Sequence, residues 1–180
     1  VALHAAGQRW AADAFVFCAG VDTVRLLRPH LRLPVIPVKG YTVTAPVGDD
    51  AGVQRAVIDD ASKLAVTRLG SRVRLAGMAE LVGHDRRVVP ARCDQLVRQY
   101  EALYGPGAHF VSRLAPRYSD GPPIIGATAI EGLYLNTGHG TFGWTLACGS
   151  ARLLADVLSG RPTALDSAEY AFDPQARGRG

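Results

Sequence analysis

LYLNTGHGTFGWTLACGSARLLADVLSG, residues 133–160, decides how the chain is read. Its first residues, Leu133 to Leu135, form a short apolar run that reads as a strand. Gly138, Gly140 and Gly143 then crowd into one turn, and a long apolar stretch with helical spacing follows. A strand, a glycine-rich turn and a helix start bring unpaired backbone N–H groups and the positive end of a helix dipole to one place. Such a place attracts anions or electron-rich oxygens. Gly138, Gly140 and Gly143 would let a flat or phosphorylated ligand approach the main chain, with Thr141 or Thr145 adding a hydroxyl. The plainer alternative is a turn that needs positive φ at one or two positions. His139, between two glycines, either touches a ligand or merely sits in the turn. Trp144 is either a lid or a core residue. From Gly143 to Ser159 the spacing predicts a nearly all-round buried helix, stopped by Gly160 and Pro162.

Working outward, Phe15 to Ala19 is a short continuous apolar run closed by Gly20, which predicts a buried parallel strand, and 21–31 has helical spacing. From Pro34 the period changes to two. VIPVKGYTVTAPV, AVID, KLAVTRL and RVRLAGMAEL read as antiparallel strands with one wet face, and 91–104 places Leu96, Tyr100 and Leu103 at helical spacing. The fold expected is α/β with some α+β character: a partial Rossmann-type layer from the two ends of the chain, flanking an antiparallel or mixed sheet with its own helix. One parallel strand near each end is too few for a sheet, and residue 1 is Val while the only Met is Met78. A longer protein with an upstream segment is therefore expected.

The 180 residues are 48% hydrophobic and 20% charged, which suits a globular chain with a substantial core. No apolar run is long enough to span a membrane, and the first residues do not read as a signal peptide. Cys18, Cys93 and Cys148 show no CxxC pattern, so no disulfide framework or metal site is expected, and a reducing, intracellular setting fits. The net charge is +4, and its arginines are scattered, apart from Arg86-Arg87, without aromatic interleaving. Nucleic-acid binding is therefore not expected, while a mild attraction to anionic substrates or an anionic membrane surface is retained.

The segments PVIPVKGYTVT, KLAVTRL, VRLAGMAELVG, DGPPIIGAT and, above all, residues 133–160 resemble the C-terminal part of the FAD-dependent D-amino-acid oxidase superfamily, in the branch of the bacterial D-amino-acid dehydrogenases. The resemblance implies a two-domain flavoprotein in which 1–33 is a remnant of the FAD-binding domain and 34–120 the substrate-binding domain. Residues 121–162 would return to the FAD-binding domain and 163–180 form a tail. It further implies that Gly20, Gly138, His139, Gly140, Thr141, Gly143, Trp144 and Thr145 lie beside FAD, and that the missing N-terminal FAD-binding segment carries GxGxxG, a motif absent here. The family clamps the substrate carboxylate with an Arg in G-x-R-P before a DG turn. Aligned on Asp120-Gly121, that position is Ala115, so Arg113 and Arg117 are the candidate substitutes, with Tyr41 as a further substrate contact. Glu80 is either an acid near the site or a solvated strand residue. The chemistry implied is oxidative deamination of a D-amino acid by hydride transfer to flavin, with a quinone or other electron acceptor, in the cytoplasm or attached peripherally to the inner membrane. Two alternatives stand beside it: a truncated or degenerate relative that holds no FAD alone, and a glycine or sarcosine oxidase.

Overall fold

The structure, a computed structural model, describes residues 2–47, 53–105, 112–114, 117–119 and 123–172. It divides into two compact units, Val1–Ile36 with Tyr118–Gly180, and Pro37–Arg117.

The first unit opens with a hairpin, β1 (Ala2–Ala5) and β2 (Gln8–Ala11). Its two-residue turn has positive φ at both Ala6 and Gly7, the geometry that matches the twist of paired strands. The sequence reading missed this hairpin because Ala and Gln carry little strand signal. A three-stranded sheet follows in which β3 (Phe15–Phe17) runs parallel to β11 (Leu133–Thr137), and β11 runs antiparallel to β10 (Ile124–Ala127). One set of side chains, Ile124, Leu133 and Leu135, packs with Leu27, Leu31, Leu33 and Val35. Ile125 packs with Leu153 and Leu154 of α3 (Gly143–Leu158), with Tyr134 and Tyr170 against them. Alternation along the strands thus supplies two separate small cores.

The helix expected over 21–31 is shorter: α1 covers Asp22–Leu27. Pro29 ends it, because it has no N–H to continue the helical ladder, although Arg28 before it still holds helical dihedrals. Leu31 still reaches the core through a turn in which the amides of His30 and Leu31 both donate to the Leu27 carbonyl at 2.8 Å.

The second unit is an antiparallel sheet in the order β5 (Val57–Asp59), β6 (Leu64–Leu69), β7 (Arg72–Glu80), β4 (Pro37–Pro46), β8 (Ser112–Leu114). β9 (Arg117–Ser119) runs across the boundary between the units. Gly70 and Ser71 turn the β6–β7 hairpin, with Gly70 taking the positive φ. On one face Tyr41, Val43, Ala45, Leu64, Val66, Val73 and Leu75 meet Cys93, Leu96 and Tyr100 of α2 (Pro90–Tyr104). Those three helix positions follow the 3.6-residue period, and Pro90 and Gly105 bound the helix as start and stop residues should. Gly77 is required by packing: a Cβ there would lie 2.9 Å from Leu96 Cδ2 and 3.0 Å from the Lys63 carbonyl oxygen.

Candidate functional site

The glycine turn sits where two parallel strands end. β3 and β11 pair in parallel from Phe15↔Leu133 to Phe17↔Leu135, so the residues that follow them, 18–20 and 138–139, leave the sheet at the same end. Thr137 Oγ1 donates to the Gly20 carbonyl at 2.9 Å and fastens the two loops together. Ligands of open α/β sheets bind beyond the carboxyl ends of strands for this reason: backbone groups leave the ladder there without partners.

Gly138 and Gly140 both take positive φ, 80° and 60°, on either side of His139. A single 3-10 turn, Gly140–Phe142, leads directly into α3, and no side chain caps either helical start. The first amides of α3 are thus left without a side-chain acceptor, at the end where the dipole is positive. Three buried polar atoms of this unit also have no protein partner among the described residues: Thr23 Oγ1, Asn136 Oδ1 and His139 Nε2. Burial lowers the His139 pKa and so favours the neutral imidazole.

Exposure along the turn is uneven. Gly138 is buried and Gly143 partly so, whereas Thr141, Phe142, Trp144 and Thr145 are exposed. Trp144 is 95% and Phe142 65% exposed, so Trp144 is not core here, and α3 is not the all-round buried helix its composition suggests. Its C-terminal half is anchored by Leu153 and Leu154, and by Asp156, which accepts from Arg152 at 2.7 Å and Arg161 at 3.0 Å. Its N-terminal half, residues 144–149, is exposed throughout, although Leu146 and Gly149 border a cavity shared with Pro123, Ile125, Leu165 and Tyr170.

The second unit holds a different cluster. Lys39 is 1% exposed, and its ammonium lies 3.1 Å from Glu80 Oε2, donates to the Arg87 carbonyl at 3.2 Å and stands 5.3 Å from the centre of the Tyr41 ring. Tyr41 Oη donates to the same Glu80 oxygen at 2.9 Å, and Arg92 Nε to the other at 2.7 Å. Burial works to raise the Glu80 pKa, but the donors Tyr41, Lys39 and Arg92 outweigh it and hold the carboxyl below its usual range. Burial likewise works to lower the Lys39 pKa, and Tyr41 and Glu80 more than reverse it. Glu80 is therefore a hub rather than a solvated strand residue. Tyr41, a candidate substrate contact, is fully buried with its hydroxyl committed to that hub.

A bulge makes this arrangement. Tyr41 pairs with Gly77, yet Lys39 pairs with Glu80 where regular pairing would bring Ala79, and Met78 takes φ 61°. A left-handed non-glycine residue costs about 1 kcal/mol, so the register shift that brings Glu80 to Lys39 is held against local strain. Nothing in the sequence pattern announces that extra residue. Of the remaining candidates, Arg113 lies in β8 at the register position opposite Val43 and Arg117 opens β9. Ala115 and Asp120 fall outside the described residues.

The pattern of FAD dependent oxidoreductases, the DAO family, matches residues 1–157. The chain belongs to that family. It is 45% identical over 174 residues to a D-amino acid dehydrogenase of Allorhizobium ampelinum, covering 93% of this chain and 41% of that protein. It is 44% identical over 173 residues to a D-amino acid dehydrogenase of Cereibacter sphaeroides, covering 92% and 39%. The chain thus spans about two fifths of the length of the curated relatives it matches. Among solved structures, glycine oxidase from Geobacillus kaustophilus superposes with a TM-score of 0.85 at 25% identity, over 94% of this chain and 47% of that one. Iminodiacetate oxidase from a Chelativorans species superposes at 0.83 with 24% identity, over 92% and 47%. The second likeness speaks for the fold alone.

Proposed function

We propose that this chain is the C-terminal part of a flavoenzyme that oxidises D-amino acids to 2-oxo acids and ammonia. Unit 1 is read as part of the FAD-binding domain, completed by an N-terminal segment that carries the dinucleotide fingerprint, and unit 2 as the substrate domain. The single observation that carries the reading is the glycine turn: Gly138 and Gly140 in left-handed conformation, opening onto the uncapped amide end of α3 beside the loop that ends at Gly20.

The residues present suit FAD. The amides at the start of α3 would stabilise negative charge on a reduced ring, and the cradle of Gly20, Gly138, His139, Gly140, Thr141, Gly143, Trp144 and Thr145 would hold it. When bound, FAD supplies the two-electron acceptor for a hydride from the substrate α-carbon. The protein's share is orientation and electrostatics. Burial keeps His139 neutral, so the stabilisation of negative charge is left to the amide end of α3, and Arg113 or Arg117 is the proposed partner of the substrate carboxylate. The imino acid formed then takes up water and releases ammonia. Electrons pass on to a quinone or another acceptor, which fits a protein held peripherally at a membrane. The glycine oxidase superposition supports the shared fold, and the higher identity to D-amino acid dehydrogenases favours the present substrate class.

Two measurements on the full-length protein test this. Purified material is expected to show flavin absorption bands and to reduce an artificial dye with D-alanine in preference to sarcosine or glycine. Turnover of sarcosine or glycine alone would transfer the chain to the other oxidase class. A colourless protein that stays so after FAD addition would remove the enzymatic reading altogether.

A further inference from the structure

The nine residues Leu81–Val89, which join β7 to α2, are built the opposite way from an ordinary surface connection. Surface loops usually turn polar side chains outward and tuck the occasional aliphatic against the body of the protein. Here Leu81 is 73% exposed and Val82, Val88 and Val89 are 39–40% exposed, four aliphatic side chains within nine residues.

What holds the connection in place is polar and turned inward. Lys39, buried in the sheet, spends one of its donors on the Arg87 carbonyl, while Glu80 and Arg92 clamp the two ends. Within the loop, Asp85 accepts from the Arg87 amide at 2.9 Å and from its guanidinium at 2.8 and 3.1 Å. The Asp85 amide donates to the Val82 carbonyl, and Gly83 takes φ 59° to allow that turn. The aliphatic tips are therefore presented on a preorganised frame, and ordering them on contact would cost little further entropy.

The charge around them is one-sided. Arg86, Arg87 and Arg92 border the patch, and its carboxylates, Asp85 and Glu80, are already bound by Arg87, Arg92 and Lys39. Arg86 has no carboxylate partner among the described residues. Short aliphatic tips ringed by guanidinium groups complement a surface that is apolar inside and anionic outside. We propose that the Leu81–Val89 connection is a membrane-docking loop, seating Leu81, Val82, Val88 and Val89 in the interfacial layer of an anionic bilayer with Arg86 on lipid phosphates. The proposal rests on the peripheral attachment included in the proposed function and assigns the surface that makes it.

The test is co-sedimentation of the full-length holoenzyme with vesicles of phosphatidylcholine alone and of phosphatidylcholine mixed with phosphatidylglycerol. The wild type should sediment with the mixed vesicles and stay in solution with the neutral ones. The double variant Leu81→Ser, Val88→Ser should lose roughly tenfold in affinity for the mixed vesicles. Arg86→Ser should lose roughly fivefold, with a flatter salt dependence. Leu81, Arg86 and Val88 are exposed among the described residues, so the variants should melt like the wild type, with turnover of a soluble dye unchanged; a clearly lower melting temperature of the double variant would place the patch against the rest of the protein and overturn the proposal. If the double variant sediments like the wild type, attachment occurs elsewhere and the loop assignment falls while the membrane reading stands. If the wild type binds neither vesicle, both fall. If the wild type is instead a dimer that the double variant converts to monomer, the patch belongs to a second copy and the proposal is overturned.

Discussion

The two units treat their apolar surface differently. The antiparallel unit closes one sheet face on itself: α2 covers it, Tyr41, Leu64, Leu75 and Leu96 are fully buried, and its buried ammonium has a carboxylate, a carbonyl and an aromatic face around it, while exposed aliphatics such as Ile58 and Leu81 lie outside that core. The parallel unit does not. Its sheet has three strands, its cores are split in two, and the amino-terminal half of α3 stands bare with Trp144 95% exposed. The first is organised by its own residues, whereas the second exposes surface suited to a further partner. The difference follows from topology, because hairpins complete an antiparallel sheet locally while a parallel strand depends on remote chain.

The comparison is broken most directly by attacking the closed unit. Leu96→Ala removes a side chain buried completely between α2 and the sheet, and should cost about 3 kcal/mol. In the full-length protein, hydrogen exchange should accelerate in β4, β6, β7 and α2 and stay as it is in β10, β11 and α3. Loss of protection in both units together would show that they unfold as one and that the antiparallel unit is not held by its own residues alone.

Glu80→Ala should come next, at about 2 kcal/mol, below the usual range for a broken buried pair because Glu80 keeps an exposed edge. It leaves the Lys39 ammonium in the core without its carboxylate. The pH dependence has a fixed sign. Glu80 titrates below its ordinary range in the fold, so its contribution is complete above about pH 4.3 and is lost as acid carries the pH through the lower folded value. Lys39 titrates above its ordinary range, so its share is complete below about pH 10.4 and is lost as the pH rises through the higher folded value. Thermal melts across that range should show a plateau for the wild type and a shallower acid limb for Glu80→Ala. An unchanged acid limb would mean that the hub contributes nothing to stability.

How much of this could be read beforehand varies with the kind of signal. The wet-faced strands were legible because Arg72, Val73, Arg74 and Leu75 alternate, and a one-residue error would have put arginines in the core. The α2 span was legible from Leu96 and Tyr100 and its Pro and Gly boundaries. The Glu80 hub was not, since its place depends on Met78 adopting a backbone conformation normally left to glycine, and alternation alone would have paired Ala79 with Lys39. The exposure of α3 is not legible for another reason: apolar composition predicts burial without saying what covers the helix, and residues 144–149 are exposed among the described residues. The glycine turn could be placed to the residue, because strand, Gly138, Gly140 and helix follow one another without interruption.

Gly77→Ala sharpens the comparison on a smaller scale. The added methyl would meet Leu96 Cδ2, which can rotate, and the Lys63 carbonyl oxygen, which cannot without moving the β6 hairpin. A cost of about 1–2 kcal/mol is expected, read as faster exchange at the β6–β7 pairs nearest Leu64↔Gly77. A neutral result would mean that α2 packs less closely on the sheet than the closed unit requires.

Trp144→Ala should do almost nothing to the stability of unit 1, within about 0.5 kcal/mol, because a side chain this exposed loses little on truncation. The same substitution in the full-length protein should weaken FAD retention, measured as flavin released on dilution or gel filtration, if the bare half of α3 is where cofactor and completing segment meet. Those two outcomes together separate a surface that is merely apolar from one kept apolar for contact. Should exchange in α3 and β11 rise sharply while flavin stays bound, Trp144 would be packing in the complete protein as a core residue, and the openness of the parallel unit would be a property of this stretch of chain rather than of its binding site.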